Sequence, residues 1–134
     1  MTEENVILKS HYIKDLSFEN PNYIKFIGRK QVIKIDDFKF RINSRFIENN
    51  FYEIELIIAT QKVLDGTNLL VLDFTYAGFF EIKGEDKKYQ LVNGPALIYP
   101  YARLFLSEVF KAGGFSQINM PEINFLDLYK KRLS

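Results

Sequence analysis

The sequence predicts an α+β fold, in which a four-stranded antiparallel meander is followed by a long helix and a short C-terminal helix. Three observations predict it. Apolar residues alternate with polar ones through most of the first 83 positions, an Asp65-Gly66 pair joins two of the apolar runs, and the apolar spacing changes to three and four residues after Gly84. The length of 134 residues predicts a single domain over residues 1–134.

The first predicted strand covers residues 5–18. Its apolar side chains fall on even positions with polar residues between them, the period of a half-buried strand: these are Val6, Leu8, Tyr12, Leu16 and Phe18. The segment Glu19-Asn20-Pro21-Asn22 is typical of a turn and ends the strand.

The second predicted strand covers residues 32–42 and changes its parity. Ile33 and Ile35 alternate, Asp36-Asp37 interrupts them, and Phe38, Phe40 and Ile42 resume on the opposite parity. A one-residue slip turns every following side chain to the other face, so we expect a bulge or a bend here.

Residues 51–63 and 68–83 are predicted to form a hairpin through Asp65-Gly66, a strong two-residue turn signal. Both strands are apolar on both parities over part of their length. This pattern indicates that both sheet faces are covered, the second by another subunit.

The helical part begins after Gly84. Apolar residues recur at helical spacing from 97 to 112, and Gly113-Gly114 ends the helix. Pro100 is expected either to kink this helix or to begin it. Asn124 is predicted to cap a second helix over residues 125–133, with Asp127 three positions further on.

The charge balance and the missing cysteine restrict the function. There are 18 basic and 17 acidic residues, a net charge of +1, which gives no electrostatic case for nucleic acid or for insertion into a membrane. The absence of cysteine removes disulfides and thiolate sites and fits a reducing compartment. With no signal peptide and no 18-residue apolar run, we expect a cytoplasmic protein.

The inventory of reactive side chains argues against an enzyme. His11 is the only histidine, and a strand histidine is more often a hydrogen-bonded or surface residue than a catalyst. One histidine without cysteine cannot build the usual zinc site, so no metal is expected. Glu53 and Glu55 could pair with Asp73 for acid-base work, although a solvated strand face is the better interpretation. An enzyme that binds small apolar substrates in a pocket between the sheet and a helix is the weakest of the alternative functions considered.

A rival function comes from bases that interleave with aromatic residues, as they do on surfaces that bind single-stranded nucleic acid. The residues are Lys34, Phe38, Lys39, Phe40, Arg41 and Phe46. The neutral total charge and the absence of the motif of RNA-recognition sheets argue against this function.

Four sequence segments resemble segments of the SecB protein-export chaperones and occur in the same order as in that family. Residues 12–22 resemble its opening strand, and residues 77–82 resemble the glycine-aromatic end of its fourth strand. Residues 97–103 resemble its Tyr-Pro-Tyr-Ala-Arg helix motif, and residues 114–125 resemble the segment before its last helix. The matching segments begin at residue 12 and end at residue 125, so the resemblance spans most of the chain.

The resemblance implies a homotetramer built as a dimer of dimers, with the longer helices between the sheets. It also implies an ATP-independent chaperone without catalytic residues or cofactor, which binds unfolded precursor polypeptides and delivers them to the motor ATPase SecA. The client-binding residues carried over are Ile33, Ile35, Phe115, Ile118, Met120, Phe125, Leu128 and Tyr129. Those for SecA contact are Asp15, Glu19 and Asp73, and those that influence assembly are Leu72, Phe74 and Tyr76.

The sequence departs from the family in three respects. Well-studied members are acidic and end in a flexible polar tail that touches SecA, whereas this chain is nearly neutral and stops at Leu133-Ser134. Tail-mediated docking is therefore not expected. Asp37 stands where an apolar residue is expected and weakens the groove locally. These differences keep open a chaperone of the same fold dedicated to one client, such as an antitoxin.

Overall fold

The computed structural model describes residues 5–28, 33–116 and 118–133. Four strands come first, with a 3-10 turn after the first of them, and two helices follow, the first led by a π-helical turn. The bounds are β1 Val6–Glu19, the 3-10 turn Tyr23–Lys25, β2 Phe38–Glu48, β3 Phe51–Leu64, β4 Thr67–Ile82, the π-helical turn Tyr89–Asn93, α1 Gly94–Ala112 and α2 Phe125–Leu133.

The four strands form one antiparallel sheet in the order β1-β4-β3-β2. Strands β2, β3 and β4 form a meander. β1, which was predicted to belong to the meander as well, pairs instead with β4 at the far side, so that β1 and β2 are the two edge strands. The predicted α+β class is confirmed.

Two bulges interrupt the pairing of β1 with β4, one between Leu8 and Ser10 and the other between Ile13 and Asp15. Between them the parity is inverted, because each bulge adds one residue that has no partner. His11 and Ile13 therefore share a face with Val6 and Leu8. The expectation that Tyr12 lies on that face is wrong, and the bulges are the reason.

β2 begins at Phe38, later than predicted, and continues to Glu48. The parity switch at Asp36-Asp37 marks the start of the strand rather than a bulge within it. Ile35 lies outside the sheet and makes an isolated parallel bridge with Ile118. The Thr60 hydroxyl donates to the Asp37 carbonyl at 2.6 Å and fixes the start of the strand.

Two tight turns connect the meander. At Asp65-Gly66 both residues have positive φ, 51° and 74°, as a type I′ turn requires, and the predicted hairpin is confirmed. The hairpin between β2 and β3 turns at Asn49-Asn50, with Asn49 at φ 52°. This second turn lies beyond the predicted end of β2.

α1 begins before the predicted position 97. The π-helical turn leads directly into it at Gly94, and Pro95 occupies the first turn, where the missing N–H costs nothing. Pro100 lies inside the helix and does not begin it. The predicted end at Gly113-Gly114 is confirmed, with Gly114 at φ 90°.

α1 packs on one face of the sheet, called the inner face below. Phe105 stacks on Phe74 with ring centroids 5.7 Å apart, and Tyr99 meets Phe40 edge-on at 5.9 Å. Gly78 lets the helix approach β4, because a Cβ there would lie 2.9 Å from the Ile98 side chain. The other face, called the outer face, has no element of the same chain packed on it within the part that the structure describes.

Candidate functional site

The predicted client-binding residues gather around α2, the loop before it and the segment before β2. They divide into two groups of four. Ile35, Phe115, Met120 and Phe125 are buried within their own chain, whereas Ile33, Ile118, Leu128 and Tyr129 are half-buried. The structure therefore gives an apolar floor with partly open side chains at its rim.

α2 is held over this floor by a small number of contacts. Asn124 is the predicted N-cap, since its side-chain oxygen accepts from the Asp127 N–H at 3.1 Å. Phe125 meets the Tyr99 ring edge-on at 5.9 Å, and the Tyr99 hydroxyl donates to the Pro121 carbonyl. Burial raises the pKa of Tyr99, so this hydroxyl remains a donor at neutral pH.

A surface depression adjoins the floor between α1 and the loop, and we call it the loop groove. It contains both apolar and polar side chains, with Asp36 and Arg103 supplying opposite charges. Its lining is Asp36, Arg103, Ser107, Ile118, Asn119, Met120 and Pro121. The Asn119 N–H donates to the Ile35 carbonyl at 2.9 Å, which ties the loop to the segment before β2.

The predicted SecA contacts lie together on the outer face. Asp15 pairs across the sheet with Thr75, and Asp73 pairs with Ser17. Glu19 is the last residue of β1, opposite Val71. All three carboxylates are exposed and occupy the half of the outer face near the β3–β4 turn.

A second group of charges on the outer face joins three strands. Lys14 approaches Glu53 at 2.7 Å and Glu55 at 3.1 Å, and Arg45 approaches Glu53 at 2.9 Å. The Tyr12 hydroxyl also donates to Glu53. The side chains of Tyr12 and Lys14 extend from β1 across β4 to reach β3. They have room to do so because the β4 residue opposite both Tyr12 and Glu55 is Ala77, whose side chain is small.

Glu53 is only 6% exposed, so the expectation of a solvated strand face is wrong at this position. Burial raises the pKa of its carboxylate, but the hydrogen bonds from Lys14, Tyr12 and Arg45 outweigh burial and lower the pKa to about 2. Burial and then the bond to Glu53 raise the pKa of Tyr12 to about 12. Glu53 is therefore a fixed anion, and it does not pair with Asp73, which lies opposite Ala59.

The predicted assembly residues Leu72, Phe74 and Tyr76 are buried on the inner face of β4. Phe74 and Tyr76 contact each other, with ring centroids 5.9 Å apart, and Phe74 stacks under Phe105 of α1. In a single chain they belong to the core. Any influence on assembly would pass through the position of α1.

α1 also carries an uncovered apolar stripe, to which sequence analysis assigned no role. Leu97, Tyr101 and Leu104 follow one another at helical spacing and are exposed, Leu104 to 66%. Ile13 and Leu16 are also exposed on the inner face, on the strand β1 whose His11 ring stacks on Tyr101. We call these five residues the α1 patch. The sequence does contain a signal for this surface: the apolar residues of α1 spread too far around the helix to form a single buried stripe.

The bases and aromatic residues proposed as a nucleic-acid surface lie on opposite faces. Phe38 and Phe40 pack against α1 on the inner face, whereas Lys39 and Arg41 point to the outer face. For nucleobases to stack on the aromatic rings while the Lys and Arg side chains contact phosphates, both sets of side chains would have to lie on one surface. Phe46, at the other end of β2, meets Tyr52 and remains 57% exposed.

Neither a metal site nor a membrane span is found in the part of the chain that the structure describes. No group of three or more His, Asp or Glu side chains within residues 5–28, 33–116 and 118–133 could hold a metal ion. Among these same residues no helix is both long enough and apolar enough to cross a bilayer.

The sheet with its two helices and the apolar floor under α2 define an α+β fold with an apolar surface on one side of the sheet. Residues 1–134 match the family described as Preprotein translocase subunit SecB. The chain belongs to the SecB family and is a protein-export chaperone.

Curated relatives and a solved structure agree with this family. The chain is 30% identical over 133 residues to the protein-export protein SecB of Azorhizobium caulinodans, covering 96% of this chain and 82% of that one. It is 33% identical over 132 residues to the SecB of Orientia tsutsugamushi strain Boryong, covering 95% and 82%. The fold matches the Mycobacterium tuberculosis Rv1957 SecB-like chaperone in complex with a ChAD peptide from the HigA1 antitoxin, with TM-score 0.65, 11% identity and coverage of 89% and 91%.

Proposed function

We propose that this protein holds unfolded precursor polypeptides in apolar grooves without nucleotide and delivers them to SecA. The observation that carries the proposal is the family match over all 134 residues. The apolar floor under α2, with half-buried side chains at its rim, supplies a surface for extended chains. Such binding gains roughly 25 cal/mol for each Å² of apolar area removed from water, and many weak contacts along one client add through avidity.

Client contact is proposed at two levels. Ile33, Ile118, Leu128 and Tyr129 are accessible enough to make first contact. The buried group, Ile35, Phe115, Met120 and Phe125, would become available when α2 or its loop moves aside. The short α2, with one cap and one aromatic anchor, is the element best suited to such a movement.

Delivery is proposed through the outer face. Asp15, Glu19 and Asp73 are exposed and lie near one another, as a docking surface for SecA requires. Lys14 and Arg45 engage Glu53, and Lys14 also engages Glu55, so the proposal assigns SecA contact to Asp15, Glu19 and Asp73, which are exposed.

The remaining features of the proposal concern the assembled state. We expect a single-domain subunit, a cytoplasmic homotetramer arranged as a dimer of dimers, and no cofactor or catalytic activity. The exposed α1 patch supports assembly, because contiguous apolar surface of this kind marks sites of protein contact.

A dedicated chaperone for one client is the second candidate. It is favoured by the fold match to a SecB-like chaperone solved with an antitoxin peptide. Proteins recovered with the chaperone from its own cell would separate the two functions. A broad set of secretory precursors supports export, whereas one dominant partner supports the dedicated function.

The proposal is tested by aggregation of an unfolded precursor without nucleotide. The wild-type protein should suppress aggregation at stoichiometric ratio, and Leu128→Asp or Tyr129→Asp should reduce the suppression, since a charge at the rim opposes apolar contact. Lys130→Asp is the matched control on the exposed side of α2 and should retain most of it. Equal suppression by all three variants would contradict the assignment of this surface.

A further inference from the structure

His11 lies at the border between β1 and α1. The two β1 bulges turn it to the inner face, where it is opposite Gly78. Its ring stacks on Tyr101 of α1 with centroids 4.0 Å apart and planes 18° apart, and its Nδ1 is 2.6 Å from the Tyr76 hydroxyl. The only histidine of the chain is thus held between a strand and a helix.

This position places His11 within the α1 patch. Tyr101 is the middle residue of the apolar stripe on the helix, and Ile13 follows His11 on the same face of β1. The five residues of the patch carry no formal charge. His11 is therefore the side chain that can bring a charge into this surface at a moderate pH.

The groups that contact His11 do not neutralise an imidazolium. From β4 it faces the Tyr76 phenol, whose pKa is raised by burial, and from α1 it faces the Tyr101 phenol. The nearest charged residues on β1 are engaged elsewhere: Lys9 with Glu81, and Lys14 with Glu53 and Glu55. Among the residues that the structure describes, no carboxylate contacts the ring.

We infer that association of two copies through the α1 patch requires a neutral His11, so that the assembly of this chaperone loosens in acid. The inference rests on the assembly proposed above. When the imidazole is neutral, its Nδ1 can accept from the Tyr76 hydroxyl, and the patch is uncharged. When it is protonated, the contact must remove a cation from water without an anionic partner, which is costly.

A second copy is the occupant that the patch fits. In a two-fold contact the same surface of each subunit meets itself, which an uncharged apolar surface permits. The patch lies beside the free edge of β1, so strand and helix together can meet a copy. Protonation would place two like charges in that contact, one from each His11.

Because the associated state binds fewer protons, association weakens as the pH falls. A two-fold contact contains two copies of His11, so the losses from the two copies multiply.

The test is the association constant of the full chain measured by analytical ultracentrifugation at pH 7.5 and pH 5.5. The wild-type protein should associate at least about tenfold more weakly at pH 5.5 than at pH 7.5. His11→Gln, which cannot be protonated, should associate nearly equally at both pH values. His11→Lys, which is charged at both, should be weak at both, and circular dichroism of each variant checks that it is folded.

The outcomes separate the two proposals. A wild-type protein that stays monomeric at pH 7.5 overturns the proposed assembly and this inference with it. Firm association of equal strength at both pH values overturns the role of His11 alone, and so does a His11→Gln variant that loses association in acid as strongly as the wild type. If His11→Lys does not fold, His11→Gln decides.

Discussion

At the residue scale, Glu53 shows how the sheet tolerates a buried charge. Its carboxylate lies on the face without a covering element, yet the side chains of Tyr12, Lys14 and Arg45 close over it. A buried anion without partners would cost several kcal/mol, so these contacts are a condition of the fold rather than an addition to it. The network crosses from β1 to β2 and joins both edge strands.

Glu53→Gln is expected to lower the free energy of unfolding by about 1 to 3 kcal/mol at neutral pH, because Arg45 loses its anion and Lys14 keeps only Glu55. The folded-state pKa of Glu53 lies below its ordinary value of 4.5, at about 2. Its contribution is therefore complete above about pH 4.5 and is lost as the pH falls toward 2. The difference from the wild type should shrink over this range.

Urea unfolding of the two proteins between pH 7 and pH 2 measures this difference. Glu48→Gln is a control, since Glu48 is an exposed carboxylate at the end of β2. A pH-independent difference for Glu53→Gln, or an equal effect of Glu48→Gln, would contradict the network.

At the element scale, α2 is the part of the fold that its own residues define best. Asn124 caps it, Asp127 lies in its first turn, and Lys130, Lys131 and Arg132 lie in its last, the charge order that the helix dipole favours. Nine residues form a marginal helix, so its stability depends on the cap and on the packing of Phe125.

Asn124→Ala should weaken the cap by about 1 kcal/mol. We expect the amides of α2 to exchange about fivefold faster with solvent while the sheet amides keep their protection. Asn124→Ser keeps an oxygen acceptor and should behave like the wild type. Hydrogen exchange by mass spectrometry measures both variants, and equal exchange in α2 for Ala and Ser would show that the cap does not hold this helix.

The elements were predictable where local chemistry decides them. The Asp65-Gly66 turn, the stop at Gly113-Gly114 and the Asn124 cap each depend on a few adjacent residues. The bulges of β1 were not predictable, because they arise from the register with β4, a partner 60 residues away. The start of β2 was missed for a similar reason: Ile35 pairs with Ile118 rather than with the sheet.

The predicted site was only partly accessible to sequence reasoning. Family resemblance brought the client residues to one region, but it could not tell the buried floor from the rim, because both are apolar. The resemblance also supplied the carboxylates proposed for SecA contact, and the structure places Asp15, Glu19 and Asp73 on one face of the sheet, where all three are exposed. His11 was expected to be either a surface residue or a hydrogen-bonded one, and its place on the inner face depended on the bulges.

At the scale of the whole molecule, the fold offers three surfaces for different tasks. The rim and floor under α2 are proposed for clients, the outer face carries the acids proposed for SecA, and the α1 patch is proposed for a second copy. Because the sheet separates the outer face from the inner one, client holding and delivery can use opposite sides of one subunit.

The central claim is that the protein recognises the unfolded state of its clients. The most direct test is the affinity for one precursor in its unfolded and folded forms, measured without nucleotide by isothermal titration calorimetry. We expect micromolar or tighter binding of the unfolded form, with a negative heat-capacity change from apolar burial, and no measurable binding of the folded form. Equal affinity for both forms, or no binding of either, would contradict the claim.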